Sequence, residues 1–188
     1  MSKVILAVCG EMACGKGVVT GYLVDTYQAS KYKFSIPLRE VLNRLHVAVT
    51  RESLASLSLS LRQTFGEQVL SDAICQDISE DANNVVVLDG VRRLADIKRI
   101  KTLEGFKLAY VNADIETRYR RLVSRGENDG DETKSFEQFK ADSLLESELQ
   151  IKQLKKYADF VLENNDTKEQ LYEQIDNMMQ QINKNPKK

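Results

Sequence analysis

The sequence predicts an α/β protein, a three-layer α/β/α sandwich around a mainly parallel sheet of five strands. Two short apolar segments, "VILAVC" and "VVVLD", have the composition of strands buried on both faces, which is typical of parallel sheets. Segments with apolar residues at helical spacing separate the predicted strands. This alternation places helices on both faces of a single sheet.

Each predicted strand is followed by one or more predicted helices. Pro37 suits a first helical turn, because the N–H group that proline lacks needs no partner there. Gly66 indicates a break in a long helical region, and Gly105 a helix end. The predicted strands are KVILAVC, KYKFS, NVVVLDG, FKLAYVNAD and DFVLEN. The predicted helices are GKGVVTGYLVDTYQ, IPLREVLNRLHVAV, SLASLSLSLRQTFGEQVLSDAICQDI, RLADIKRIKTLEG, IETRYRRLVSRG, FEQFKADSLLESELQIKQLKKYA and TKEQLYEQIDNMMQQINK.

Composition predicts one cytoplasmic domain over residues 1–188. Charged residues make up 29% and hydrophobic residues 42%, as in ordinary globular proteins, and no linker divides the chain. The net charge of -1 gives no global field for a nucleic-acid or membrane partner, and no apolar run reaches the roughly 20 residues of a membrane span. Three cysteines without zinc spacing and a single histidine predict reduced thiols and exclude a histidine-rich metal site.

The turn between the first strand and the first helix reads Gly-x-x-x-x-Gly-Lys, from Gly10 to Lys16. Glycines let such a loop bend with its N–H groups pointing inward, and the helix that follows adds the positive end of its dipole. Lysine at this place reaches the β- and γ-phosphates of a nucleotide. The alternative is a Gly-containing turn with a surface lysine, but the flanking strand and helix favour a phosphate site. Its predicted members are Gly10, Ala13, Cys14, Gly15, Lys16, Gly17 and Val18.

Two residues of this loop lack a hydroxyl that magnesium would use. Walker-type loops have Ser or Thr after the lysine, whereas this sequence has Gly17 and then Val18. Asp89 ends a buried strand, where a carboxylate holds Mg²⁺ or its water shell or orients an acceptor. The sequence therefore predicts Asp89 as a catalytic residue and as the metal residue, acting through water. The alternative is that Asp89 caps the turn or the next helix.

A basic helix supplies candidate arginines for the transferring phosphoryl group. Helix geometry places Arg118, Arg121 and Arg125 on one face. Arginine offers planar, bidentate donors, which suit phosphoryl oxygens better than lysine does. We predict catalytic roles for Arg121 and Arg125, and the alternative is a solvated face that pairs with Glu116 and its neighbours.

Several segments resemble P-loop kinases in the order of the family. "GKG" and "LDGVRR" resemble the adenylate-kinase pattern Gly-Lys-Gly-Thr and Leu-Asp-Gly-Phe-Pro-Arg, "SIPLREVL" its monophosphate-binding helix, "RLVSRGE" the start of its lid and "ADFVLEN" its final strand. "LDGVRR…ETRYRRLVSRG" resembles the dephospho-coenzyme A kinase-like group of archaeal P-loop proteins. "FSIPLREVL…LRQTFGE" resembles phage-type deoxynucleoside monophosphate kinases. The resemblance indicates the superfamily and leaves the acceptor open.

The resemblance implies a P-loop NTPase fold with two inserts, an acceptor-binding one at about 36–80 and a lid-like one at about 118–145. It implies ATP and Mg²⁺ as cofactors and nucleotides as substrates, with a nucleoside or deoxynucleoside monophosphate as acceptor and dephospho-coenzyme A as the alternative. Val18 and the acidic "ENDGDETKS" also leave open a regulatory P-loop ATPase without an acceptor. The residues implied for the acceptor phosphate are Arg39, Gly90 and either Arg92 or Arg93.

Overall fold

Five parallel strands form the sheet in the computed structural model, which describes residues 3–126 and 130–184. The strand order β2-β3-β1-β4-β5 and the parallel pairing of all neighbours confirm the predicted α/β architecture. The central strand is buried along its whole length, as its continuous apolar run predicts. The strands are β1 (Val4–Cys9), β2 (Ser30–Lys33), β3 (Val85–Asp89), β4 (Phe106–Asn112) and β5 (Phe160–Glu163).

Helices cover both faces of the sheet. One core cluster joins it to α1 and α9, and the other joins it to α4 and α5. Residues of β1 alternate between them, because successive strand side chains point to opposite faces. The helices are α1 (Lys16–Tyr27), α2 (Ser35–Arg44), α3 (Arg51–Phe65), α4 (Val69–Glu80), α5 (Leu94–Ile100), α6 (Ile115–Arg125), α7 (Phe136–Ser143), α8 (Glu146–Leu154) and α9 (Lys168–Lys184).

Two long predicted helices are each interrupted. Gly66, with φ +97°, separates α3 from α4, as its position in the sequence indicated. The single helix expected from Phe136 onward is wrong: it is two helices, α7 and α8. The chain is extended at Leu145, and acidic residues in the next turn favour a new helix start there.

The carboxyl ends of β1, β3 and β4 lie side by side at one edge of the sheet. The chain leaves β1 towards β2 and β3 on one side, and later runs to β4 and β5 on the other. Ligands of such sheets bind where the direction of strand addition reverses, outside the carboxyl ends. The loop after β1, Asp89 and the turn after β4 are therefore neighbours. In the described part of the chain, no helix has the length and apolar character needed to cross a membrane.

Candidate nucleotide site

The loop between β1 and α1 presents unpaired backbone donors. Among the described residues, the N–H groups of Ala13, Gly15 and Gly17 have no hydrogen-bond partner, whereas that of Cys14 donates to the Glu11 carbonyl over 3.2 Å. Ala13 has φ +60° and Gly15 has φ +101°, so two residues of the loop adopt positive φ angles. Turned N–H groups beside the start of a 12-residue helix form an anion-binding concavity.

Lys16 lies across the mouth of this loop. Its Nζ donates to the carbonyl oxygens of Gly10, at 2.7 Å, and Glu11, at 3.0 Å. The ammonium therefore lies at the start of the loop, opposite the free N–H groups at its end. Burial raises the pKa of the Cys14 thiol, which is 3.8 Å from Nζ. Cys14 thus fills space beneath the loop as a neutral group.

Arg118 supports the loop from below. Its Nη2 pairs with Glu11 Oε1 at 3.0 Å, and its Nη1 donates to the Met12 carbonyl at 3.3 Å. The guanidinium is almost fully buried and lies over the Phe139 ring, 5.6 Å from its centroid. Tyr110 also donates to Glu11, over 3.4 Å. Arg118 therefore holds the loop backbone in place and is not itself available to a phosphate. Arg121 and Arg125, on the same helix, do not share these contacts.

Arg121 reaches the end of the loop through Asn164. Its Nη1 donates to the Asn164 carbonyl over 2.8 Å, and the Asn164 Nδ2 donates to the Cys14 carbonyl over 2.8 Å. Arg125 is exposed at the last residue of α6, one turn further along. The structure thus brings Arg121 to the predicted phosphate site. Asn164 was missed by sequence reasoning, because nothing but the tertiary fold brings it there.

Asp89 lies between two lysines that the sequence did not single out. Its Oδ2 is 3.6 Å from Lys33 Nζ and 3.9 Å from Lys31 Nζ. Lys31 also donates to the Thr20 hydroxyl on α1, over 2.7 Å. Helix α5 begins at Arg93 as its cap, so Asp89 does not cap it. Through Lys31, the Asp89 carboxylate is connected to Thr20 on α1.

One carboxylate is a sparse protein contribution to a Mg²⁺ site. Among the described residues, no group of three or more His, Cys, Asp or Glu side chains could hold a metal ion. Mg²⁺ commonly binds through one or two carboxylates and takes its other ligands from water and substrate phosphates. Asp89 would be the carboxylate of such a site, but Lys31 and Lys33 both contact its Oδ2, so a metal ion would have to compete with two ammonium groups.

The loop after β3 is fixed by a buried ion pair. Asp96 accepts from the N–H groups of Arg92, at 3.3 Å, and Arg93, at 3.1 Å, and also pairs with Arg62 Nη2 at 2.9 Å. The Arg93 guanidinium lies near Glu67, at 3.6 Å, and near Asp96, at 3.9 Å.

The other two arginines predicted for the acceptor face solvent. The side chains of Arg39 and Arg92 are exposed and have no partner among the described residues. Gly90, with φ +89°, leaves open space beside the same loop. Arg39, Gly90 and Arg92 are thus accessible to a ligand, whereas Arg93 already contacts two carboxylates.

Gly15 and Gly17 have different steric constraints, which gives a matched test. A Cβ on Gly15 would collide with the Asn164 amide at a positive φ, whereas a Cβ on Gly17 would meet no atom within 4 Å. We expect Gly15→Ala to lower the free energy of unfolding by about 2 kcal/mol. Gly17→Ala should raise it by about 0.5 kcal/mol, because glycine is a poor helix former. Urea denaturation measures both, and equal losses would contradict the loop geometry.

The strand order, the loop and its lysine define a P-loop kinase fold. The chain is similar to the UPF0200 protein of Hyperthermus butylicus, at 28% identity over 162 residues that cover 86% of each chain. It is also similar in structure to shikimate kinase from Bacteroides thetaiotaomicron, with a TM-score of 0.61, 13% identity and coverage of 96% and 98%.

A second solved structure has the same fold. Dephospho-CoA kinase from Campylobacter jejuni matches with a TM-score of 0.56 and 16% identity, covering 96% of this chain and 97% of its own. No family model matches the sequence. The likenesses establish the P-loop kinase fold, and they do not favour the nucleoside monophosphate kinases over other kinases of this fold.

Proposed function

We propose that this protein is an ATP-dependent kinase that phosphorylates a small, already phosphorylated acceptor, a nucleoside or deoxynucleoside monophosphate. The observation that carries the proposal is the loop itself, which has the Lys16 ammonium at its start and free N–H groups at Ala13, Gly15 and Gly17 towards its end. Such an arrangement matches the α-, β- and γ-phosphates of a nucleoside triphosphate. The kinase fold supports the same reading.

In the proposed reaction, the donor phosphates lie along the loop from Gly10 to Val18. Lys16 exchanges its two carbonyl contacts for the β- and γ-phosphate oxygens. In this proposal Arg121 and Arg125, both on α6, contact the γ-phosphate and stabilise its charge. Asp89 would hold Mg²⁺ through water, and the ion would neutralise negative charge on the donor phosphates. Positioning and charge stabilisation account for the rate, since phosphoryl transfer requires little covalent chemistry from the protein.

The acceptor is proposed to bind between the loop after β3 and the helices at about 36–80. Arg39 and Arg92 are exposed and unpaired among the described residues, so they can take a phosphate group without breaking an ion pair. Arg93 would first have to leave Glu67 and Asp96. This difference favours Arg92 over Arg93, and Gly90 leaves room beside it.

ADP formation with a panel of acceptors tests the function. Purified protein is incubated with ATP and Mg²⁺ and, separately, with each ribo- and deoxyribonucleoside monophosphate, dephospho-coenzyme A, shikimate or buffer. Turnover that depends on one monophosphate supports the proposal, and turnover with dephospho-coenzyme A or shikimate moves the acceptor to another class. Slow ADP formation that is the same with every addition would indicate an ATPase without an acceptor. If no ADP forms with any addition, the proposal that this protein is a kinase is rejected.

Arg39→Ala should affect the acceptor far more than ATP. Removing one charge-assisted contact to a phosphate costs about 2 kcal/mol, which corresponds to a rise of roughly thirtyfold in the acceptor KM. The KM for ATP should change less than twofold. Arg44→Ala is the control, since Arg44 is an exposed arginine in the last turn of the same helix. Equal changes in both KM values would place Arg39 outside the acceptor site.

A further inference from the structure

A buried carboxylate contacts the phosphate loop in a place that no phosphate-binding pattern explains. Glu148 Oε2 accepts a hydrogen bond from the Met12 N–H over 3.0 Å, and the residue is 8% exposed. Among the described residues, Glu148 forms no salt bridge. A buried carboxylate without a cation is costly, because its charge is removed from water without compensation. Glu148 therefore brings negative charge to a loop that is otherwise built to bind anions.

Glu148 contacts the end of the loop that receives the terminal phosphate. The Lys16 ammonium marks this end, because it is bonded to the carbonyl oxygens of Gly10 and Glu11, and Met12 is the next residue. Lysine in such loops contacts the β- and γ-phosphates. The free N–H groups of Gly15 and Gly17, at the start of α1, lie at the opposite end. A γ-phosphate would therefore approach the Glu148 carboxylate, whereas a diphosphate ending at the β-phosphate would not.

We propose that Glu148 distinguishes nucleoside triphosphate from diphosphate in this loop, an inference that rests on the proposed function. The carboxylate repels the γ-phosphate, so its bond to Met12 breaks when ATP binds and persists when ADP binds. The repulsion is substantial, since two like charges a few ångströms apart in a partly buried site are weakly screened. Glu148 thus lowers the affinity for ATP relative to ADP. Because Glu148 lies on α8, the loss of its bond to Met12 also changes the contacts of α8 when ATP is bound.

The connections of Met12 link this discrimination to the helices α6 and α8. Arg118, on α6, donates to the Met12 carbonyl, and Glu148, on α8, accepts from the Met12 N–H. One loop residue is thus bonded to both α6 and α8. Release of Glu148 by a γ-phosphate frees one of these two connections while Arg118 keeps the other. Such a differential contact is what lets a ligand shift a two-state equilibrium.

Calorimetric titration of two nucleotides into three proteins tests the proposal. The proteins are the wild type, Glu148→Gln and Glu146→Gln, and the ligands are ADP and a non-hydrolysable ATP analogue, each with Mg²⁺. Glu148→Gln removes the charge and keeps an oxygen that can accept from Met12. Glu146→Gln removes the same charge from an exposed position on the same helix. We expect Glu148→Gln to raise the affinity for the analogue relative to ADP about tenfold, and Glu146→Gln to change this ratio less than twofold.

An unchanged ratio in Glu148→Gln, with both nucleotides still bound, would overturn the inference and leave the proposed function intact. A wild type that binds neither nucleotide would overturn the proposed function and this inference with it. Hydrogen exchange of the wild type adds a measurement that needs no variant. Peptides from α8 (Glu146–Leu154) should exchange faster with the analogue than with ADP. Equal exchange with the two ligands would also overturn the proposal.

Discussion

Lys16→Ala should lose at least 99% of the ATP-dependent turnover that the acceptor panel detects. Removing one preorganised donor from a transferring group typically costs about 3 kcal/mol of transition-state stabilisation, or more than a hundredfold in rate. Here the lost group is the full charge at the mouth of the loop, bonded to the Gly10 and Glu11 carbonyl oxygens. Initial rates at saturating ATP and acceptor, measured as ADP released, give the comparison.

Two controls separate this effect from damage to the fold. Lys98→Ala removes the same charge from an exposed site on α5 and should leave the rate within twofold of the wild type. The unfolding midpoint of Lys16→Ala should stay close to that of the wild type, because Lys16 makes its contacts within the loop alone. Normal turnover in a well-folded Lys16→Ala protein would end the kinase hypothesis.

The phosphate loop could be predicted from the sequence because its signal is local. Strand, glycine-rich turn, lysine and helix follow one another within β1 and α1, and the structure keeps that order. Parallel strands buried on both faces also have a local composition signal, which is why β1 and β3 were predicted from their apolar runs, whereas the strand order was not predicted. The junction of α7 and α8 was missed, because no Gly or Pro marks the extended residue Leu145.

The residues that surround the loop could not be predicted, because long-range packing brings them there. Glu148 is 136 positions from Met12, and Asn164 is 150 positions from Cys14. Both are common polar residues without a motif of their own. Lys31 and Lys33 alternate on β2 in a way that predicts a shared face, but their meeting with Asp89 follows from the pairing of β2 with β3. These contacts require knowledge of the strand order.

Asp96→Ala should be the most destabilising single change in the acceptor region, lowering the free energy of unfolding by about 4 kcal/mol. Asp96 and Arg62 have side chains that are 4% and 5% exposed, and they pair at 2.9 Å. Truncating the acid removes the nearer counter-ion of a buried guanidinium and leaves it with the exposed Glu67 carboxylate at 3.9 Å. It also removes the acceptor of two N–H groups in the loop after β3. Thermal unfolding followed by circular dichroism should show a loss of about 10 °C.

An exposed pair of the same chemistry is the control. Arg99 and Asp72 pair at 3.2 Å, with side chains 48% and 57% exposed. Asp72→Ala should therefore cost less than about 1 kcal/mol, because water screens the pair and solvates the arginine that remains. Similar losses for Asp72→Ala and Asp96→Ala would show that burial does not determine the strength of the Asp96 contact.

A double replacement separates the stability that this ion pair provides from its role in the acceptor site. Arg62→Met with Asp96→Leu removes both charges together, so no unpaired ion is left, and such replacements regain most of the stability lost by a single truncation. Asp96, however, also accepts from the Arg92 N–H. We therefore expect the double variant to unfold near the wild-type temperature and still show an acceptor KM raised about tenfold, since Arg92 is no longer held in place. Wild-type KM values in that variant would limit Asp96 to a structural role.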